Sequence, residues 1–215
     1  GWADDGGYHT GAGVNLTWTP APAVTLTMGP SWGVSHSTAQ YVTAIDDATA
    51  TDFYGRRYVF ADLDQRTLSV NTRMNVTFTP NMTLQLFAQP FISSNDYSDW
   101  KEYARPRDSD RLVYGEDTGL TTTVQTEDGR TVFVDPDGAG PADVFAFQEP
   151  DFNLRSLRGN AVFRWEYMPG STLFLVWTQD RSSFDDVGDF EFGRDRSALF
   201  RAESDNILLI KVNYW

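Results

Sequence analysis

The 215-residue chain has no cysteine and only two histidines, His9 and His36. Disulfides, thiolate metal sites and cysteine nucleophiles are excluded. So little imidazole leaves scant material for a zinc centre or a Ser/His/Asp triad, so any catalysis falls to carboxylates. Positive charge is scarce: 17 Lys and Arg stand against 30 Asp and Glu, a formal net charge of −13, and the longest basic run is Arg56-Arg57. Phosphate backbones are bound by neutralising them with cations, so nucleic acid is not an expected partner. Unbroken apolar runs such as Leu173 to Trp177 and Ile207 to Ile210 fall far below the roughly 18 residues of a membrane-spanning helix. Sustained i, i+3, i+4, i+7 spacing is missing as well, so no long helix is expected. The chain opens on Gly1 without a charged and then apolar leader, which predicts a mature form or an excised piece.

Period-2 alternation is what the sequence does contain. Leu68, Val70, Thr72, Met74, Val76 and Phe78 alternate with Ser69, Asn71, Arg73, Asn75 and Thr77; Leu157 to Tyr167 repeats the pattern with Arg158, Asn160, Arg164 and Glu166 opposite. A gapless internal repeat ties such strands into hairpins: Asn15 to Leu26, Asn75 to Leu86 and Arg164 to Leu175 each read apolar, x, aromatic, x, Pro, three small or turn residues, apolar, x, Leu. Proline fixes φ and lacks a ladder N–H, so each copy marks a tight turn between antiparallel strands. Long connections alternate with these short ones. Expected strands are 8–19, 23–45, 54–79, 82–94, 152–168, 172–183 and 206–215, with a polar excursion over 95–151 and a loop over 184–205. Inside the excursion, Val124-Gln125-Thr126 and Thr131-Val132-Phe133-Val134 flank Glu127-Asp128-Gly129-Arg130 as a small hairpin.

Strand length separates two architectures. Strands in soluble proteins cluster near 5 to 6 residues, whereas those crossing a bilayer take about 9 to 11. The lengths here, an apolar row opposed by Asn, Gln, Thr and Arg, and short turns on one side against long loops on the other predict an all-β, antiparallel up-and-down meander, the C-terminal part of a transmembrane β-barrel. Trp18, Phe78, Trp165, Tyr167 and Tyr214 are the expected membrane-interface aromatics. Arg73, Arg158, Arg164, Glu166 and Lys211 are the expected lumen-facing charges, which either select anions or pair up and plug a small barrel. A soluble β-sandwich that binds or hydrolyses polysaccharide also alternates, and it accommodates Gly29-Pro30 and Gln89-Pro90 more readily; in a barrel those prolines need bulges or a place beyond the bilayer.

The segments Val134 to Pro141, Asp151 to Tyr167 and Pro169 to Trp177, together with Leu84 to Ser98 and the ending Lys211-Val212-Asn213-Tyr214-Trp215, resemble the C-terminal barrel of bacterial proteins of unknown function whose N-terminal domain is similar to carbohydrate-binding family 9. That resemblance, over roughly residues 65–215, implies an outer-membrane barrel in a diderm bacterium, in contact with outer-membrane lipid and preceded by a glycan-binding domain that this chain lacks. It supplies no catalytic, cofactor or metal residue. The expected function is a non-enzymatic anchor or conduit for a glycan-handling protein, one domain over 1–215 with no cofactor. An odd count of seven strands predicts missing earlier strands, and Trp215 falls on the polar parity of the last strand, unlike the usual assembly signal.

Remaining motifs have plainer readings. Asp135-Pro136-Asp137-Gly138 lacks the Glu an EF-hand needs at its twelfth position, where Ala146 stands, and reads as a turn. Gly11-Ala12-Gly13 lacks the third glycine and helix of a dinucleotide site and reads as a strand bend. Asp185, Asp186, Asp189 and Glu191 are candidates for a glycosidase pair, set against a solvated acidic loop. Tyr97, Trp100 and Tyr103 either stack on sugar rings or anchor the long loop.

Overall fold

The fold is taken from a computed structural model that describes residues 6–127 and 129–215. The chain is all-β apart from one short helix and a single 3-10 turn at Thr51–Phe53. In order, the elements are β1 (Tyr8–Gly13), β2 (Leu16–Ala21), β3 (Val24–Asp46), β4 (Arg56–Thr79), β5 (Met82–Tyr103), β6 (Arg111–Val113), β7 (Leu120–Thr126), β8 (Gly129–Asp135), β9 (Phe145–Gln148), β10 (Phe152–Met168), β11 (Ser171–Asp185), α1 (Phe192–Arg201) and β12 (Ser204–Asn213). The main sheet is an antiparallel meander in the order β1-β3-β4-β5-β10-β11-β12, with β2 continuing β1 along β3 and β6 beside β5. β7-β8-β9 form a second, three-stranded sheet. Among the described residues the main sheet does not close on itself: β1/β2 lie at one edge and β12 at the other.

Six of the seven expected long strands are present as single strands, the expected 8–19 strand is split into β1 and β2, and the three Pro turns join β2 to β3, β4 to β5 and β10 to β11 at one common end. Several boundaries differ from the sequence expectation. β5 runs on to Tyr103, because a bulge at Asp99, whose φ is +50°, re-aims the strand without ending it. The expected loop over 95–151 therefore begins after the strand and folds into a sheet of its own. The 184–205 loop contains α1, capped by Glu191, whose carboxylate accepts from the amides of Gly193 and Arg194. Asp128, in the expected small hairpin, lies outside the described residues, while β7 and β8 pair on either side of it.

The prolines need no bulge. The amide of Val14 donates to Pro30 O, so the nitrogen of Pro30 faces the break between β1 and β2. Pro90 stands where the β4–β5 ladder is interrupted between Ser69/Phe91 and Thr72/Ala88. The missing N–H thus falls at a gap in both cases.

Along β4 the sheet exchanges its faces. Successive side chains point to opposite sides, and β4 itself carries no extra residue between Arg56 and Val76. Its even positions are Val76, Met74, Thr72, Val70 and Leu68, then Arg66, Asp64 and Asp62; its odd positions are Asn75, Arg73, Asn71 and Ser69, then Leu63, Ala61 and Val59. The even face is largely apolar from Phe78 to Leu68, charged from Arg66 to Asp62 and aromatic again at Phe60 and Tyr58; the odd face is polar up to Gln65 and apolar from Leu63 to Val59. Register carries the apolar half across the sheet: Val24, Val76, Leu84, Phe163, Leu175 and Ile210 stand in one row, and Leu26, Met74, Leu86, Ala161, Trp177 and Leu208 in the next. From Leu68 to Phe78, at about 3.3 Å per residue and a tilt of about 40°, this band rises roughly 25 Å.

The second sheet packs on the other face at the long-loop end. Val59 and Ala61 of β4, Trp100 of β5, Tyr114, and Val132 and Val134 of β8 form a buried cluster there, joined by Val42, Tyr97, Phe145 and Phe147. α1 lies on the apolar face instead, at its upper limit, with Leu199 buried. An ion network fastens it: the fully buried Arg155 donates to Asn153, Ser183 and Asp185 and lies 3.4 Å from the fully buried Asp195.

Candidate functional site: the polar face of the main sheet

Between the short turns and the cap formed by β7-β8-β9, the face opposite the apolar band is polar and open. Arg73, Arg158, Arg164, Glu166 and Lys211 all fall on it, since Arg73 pairs with Phe87, Arg158 with Gln89, Arg164 with Thr83 and Phe174, and Phe174 with Lys211. Three of these charges are paired along the wall: Arg164 with Glu166 at 3.1 Å, and Arg158 with Asp180 at 3.7 Å. Arg73 instead lies over the Phe87 ring, 5.6 Å from its centroid, the arrangement in which a ring face attracts a cation while the outer N–H groups stay available.

Two hollows mark this wall. One, about 500 Å³, is lined by Arg73, Asn75, Gln85, Phe87 and Asn160. The other, about 700 Å³, is lined by His9, Gly11, Gly13, Ser31, Gly33, Ser35, Gln65 and Thr67. The Gly11-Ala12-Gly13 segment is part of a strand there, and its glycines and the facing Gly33 leave room that larger side chains would fill. Amides, hydroxyls and one guanidinium make both hollows hydrogen-bonding surfaces for polar solutes or water.

The cap covers the polar face at the long-loop end, packed through its apolar cluster, and ion pairs lie beside and beneath it. Arg57 bonds Asp47 at 2.5 Å and Glu102 at 2.6 Å, and Tyr114 donates to Glu102. Burial, then the Glu102 charge, pushes the Tyr114 phenol up. Arg130 reaches Glu149 and Asp151, each at 2.5 Å, and Asp151 accepts from the amide of Tyr97. Burial raises both carboxyls, with further upward pressure on Glu149 from Asp151 and on Asp151 from Asp96, against the pull of Arg130.

The expected interface aromatics gather at the short-turn end. Phe78 and Trp165 lie at the lower rim of the apolar band, Trp165 stands against Tyr167 at 6.1 Å, and the Tyr167 hydroxyl donates to Asn213 O, beside the exposed Tyr214. Trp18 sits two rows higher, opposite Leu26 and in the row of Met74 and Leu86. The upper rim has an aromatic set that sequence reasoning missed: Trp32 edge-on to Phe190 at 4.8 Å, with Phe192 and Phe200 on α1. Its signal was the Phe192, Arg196, Phe200 spacing, obscured by Gly193 and the surrounding charges.

Other candidates have structural roles. Asp185 holds Arg155, Asp189 holds Arg194 at 2.8 Å, and Glu191 caps α1. Trp100 is buried in the cap cluster against Phe147, and Tyr103 packs on Phe60 and Arg111, so these two rings anchor the excursion. Asp135 accepts from the amide of Gly138 and Asp137 from that of Ala142, as turn carboxylates do.

The chain matches the domain of unknown function DUF5916 over residues 21–215. It belongs to that family. No curated protein and no solved structure matches the chain. The family assignment covers all of the main sheet except β1 and all but the last residue of β2, together with the whole of the cap and α1, so every feature of the polar wall apart from the β1 side of the larger hollow lies inside the matched span.

Proposed function

We propose that this chain is the membrane-embedded part of an outer-membrane β-barrel, a non-enzymatic anchor or conduit in a diderm bacterium. One observation carries the reading: a continuous apolar face spanning the strands from β2 to β12, about as tall as a bilayer's hydrocarbon band, backed by a polar face and edged by aromatics at both rims. Water is a poor neighbour for such a face. Exposed apolar patches on soluble monomers rarely exceed a few hundred Å², and in a β-sandwich a second sheet would cover this one. Among the described residues the only other sheet packs on the opposite face, against Val59 and Ala61.

The two free edges belong to the same reading. A strand edge inside hydrocarbon leaves N–H and C=O groups unpaired at several kcal/mol each, so spanning sheets close. β12 and β1/β2 therefore require partner strands, and with seven positions along the sheet path the smallest even-numbered barrel needs at least one more. The connection to a glycan-handling protein rests on the sequence resemblance. The loop carboxylates engaged with Arg155, Arg194 and the α1 amides support the non-enzymatic role.

The test is co-flotation. Chain refolded into lipid vesicles is expected to float with them through a density gradient and to resist alkaline carbonate extraction, and loss of the chain to the soluble fraction would overturn the membrane reading. Conductance steps across a planar bilayer would then select conduit over anchor.

A further inference from the structure

Between α1 and the upper rim of the apolar face runs a cleft of about 170 Å³, walled by Leu68, Val70, Pro90 and Ile92 from the sheet and by Phe192, Leu199 and Phe200 from the helix. Its one charged neighbour is Arg196, whose guanidinium lies 5.8 Å from the centre of the Phe192 ring. Apolar cavities of about 150 Å³ stay dry and accept apolar ligands, and a polyol would lose its hydrogen bonds here without replacement. Phe192 and Phe200 are 52% and 58% exposed, one helical turn either side of Arg196, although Leu199 beside them is buried. They point away from the protein core at the level where the apolar band ends. No acidic side chain among the described residues is ion-paired to Arg196, whereas Arg194 on the neighbouring face is held by Asp189 and Asp195.

We infer that α1 is an interfacial helix whose cleft seats an acyl chain of a surrounding bilayer lipid, with Arg196 on that lipid's phosphate. The inference rests on the membrane reading above. Buried Arg155 and Asp195 hold the helix flat on the sheet, so that its phenylalanines meet the boundary between headgroups and acyl chains, where amphipathic helices rest. The long stem of Arg196 lets its head reach outward to the phosphate plane while its carbons cover the cleft mouth.

The absence of native cysteine allows single spin labels. Phe200→Cys and Leu208→Cys, labelled separately in phosphatidylglycerol/phosphatidylcholine vesicles, report depth by collision with dissolved oxygen and with an aqueous nickel chelate. Both labels are expected to be oxygen-accessible and chelate-shielded, Phe200 nearer the surface. Leu208 in lipid with Phe200 in water overturns the inference and leaves the barrel reading standing; both labels in water overturn the barrel reading itself. Arg196→Glu, with folding monitored by an unchanged Leu208 depth, is expected to cut retained phosphatidylglycerol in native mass spectrometry by about fivefold. Unchanged retention would overturn the phosphate contact.

Discussion

Arg155 is fully buried, and the elements on either side depend on it. Its position on β10 continues the row Leu157, Gly159, Ala161, and a hydrocarbon residue there would extend the apolar face. Instead, its guanidinium links β11 through Ser183 and Asp185 to α1 through Asp195. Removing one partner of a buried ion pair leaves the other uncompensated, at about 3–5 kcal/mol. Asp195 keeps Arg194 as a partner at 3.0 Å, so Arg155→Met is expected to lower stability in urea titrations of the lipid-reconstituted chain by less than that, about 1–3 kcal/mol. Glu149 behaves oppositely to an ordinary surface carboxylate. Burial first, then the Asp151 charge, raises its carboxyl above the usual 4.5, so its proton stabilises the fold. That contribution is complete below 4.5 and is lost as pH rises through the raised value. Glu149→Gln is thus expected to stabilise the cap relative to wild type at neutral pH, an advantage that vanishes below pH 4.5, checked by amide exchange of β8 at both pH values. A constant difference would show that the group titrates normally.

Among the elements, β4 states the account most compactly. Its even positions are largely apolar from Phe78 to Leu68 and charged from Arg66 to Asp62, and its odd positions turn apolar from Leu63 to Val59. A basic side chain at the hydrocarbon level of a lipid-facing row costs about 2–4 kcal/mol, and one facing the lumen far less. Leu86→Arg is expected to destabilise the folded, lipid-inserted chain by about that much, and Gln85→Arg, on the opposite parity, to be tolerated; equal effects would mean that the two faces meet the same solvent. The strands and their turns were legible because Trp18-Thr19-Pro20, Phe78-Thr79-Pro80 and Tyr167-Met168-Pro169 end each hairpin in the same way. α1 was not legible, since a ten-residue helix opening Phe-Gly-Arg-Asp has weak intrinsic propensity and is held by tertiary contacts through Leu199 and Asp195. The cap was half visible: β7 and β8 alternate around a turn, whereas β9 is too short to announce itself and is fixed by its pairing with β8. That Arg73, Arg158, Arg164, Glu166 and Lys211 share one face of the sheet could be read from parity. Their partners, Asp180 for Arg158 and Phe87 for Arg73, depend on cross-strand register and could not.

At the scale of the whole molecule, polarity is arranged in two opposed halves. Near the short turns the polar hollows back the apolar band; near the long loops a packed cap fills the face that the hollows occupy below, and Asp64 and Arg66 stand on the opposite face. The membrane reading proposed above accounts for both halves: the apolar band would meet hydrocarbon and the capped end water. On the same reading, the free edges at β12 and β1/β2 would be met by further strands. The most direct measurement is to dilute urea-dissolved chain into plain buffer and, separately, into lipid vesicles, and to follow far-UV circular dichroism with tryptophan emission. The account predicts a strand spectrum with blue-shifted tryptophans in vesicles alone; a cooperative β fold in plain buffer would contradict it.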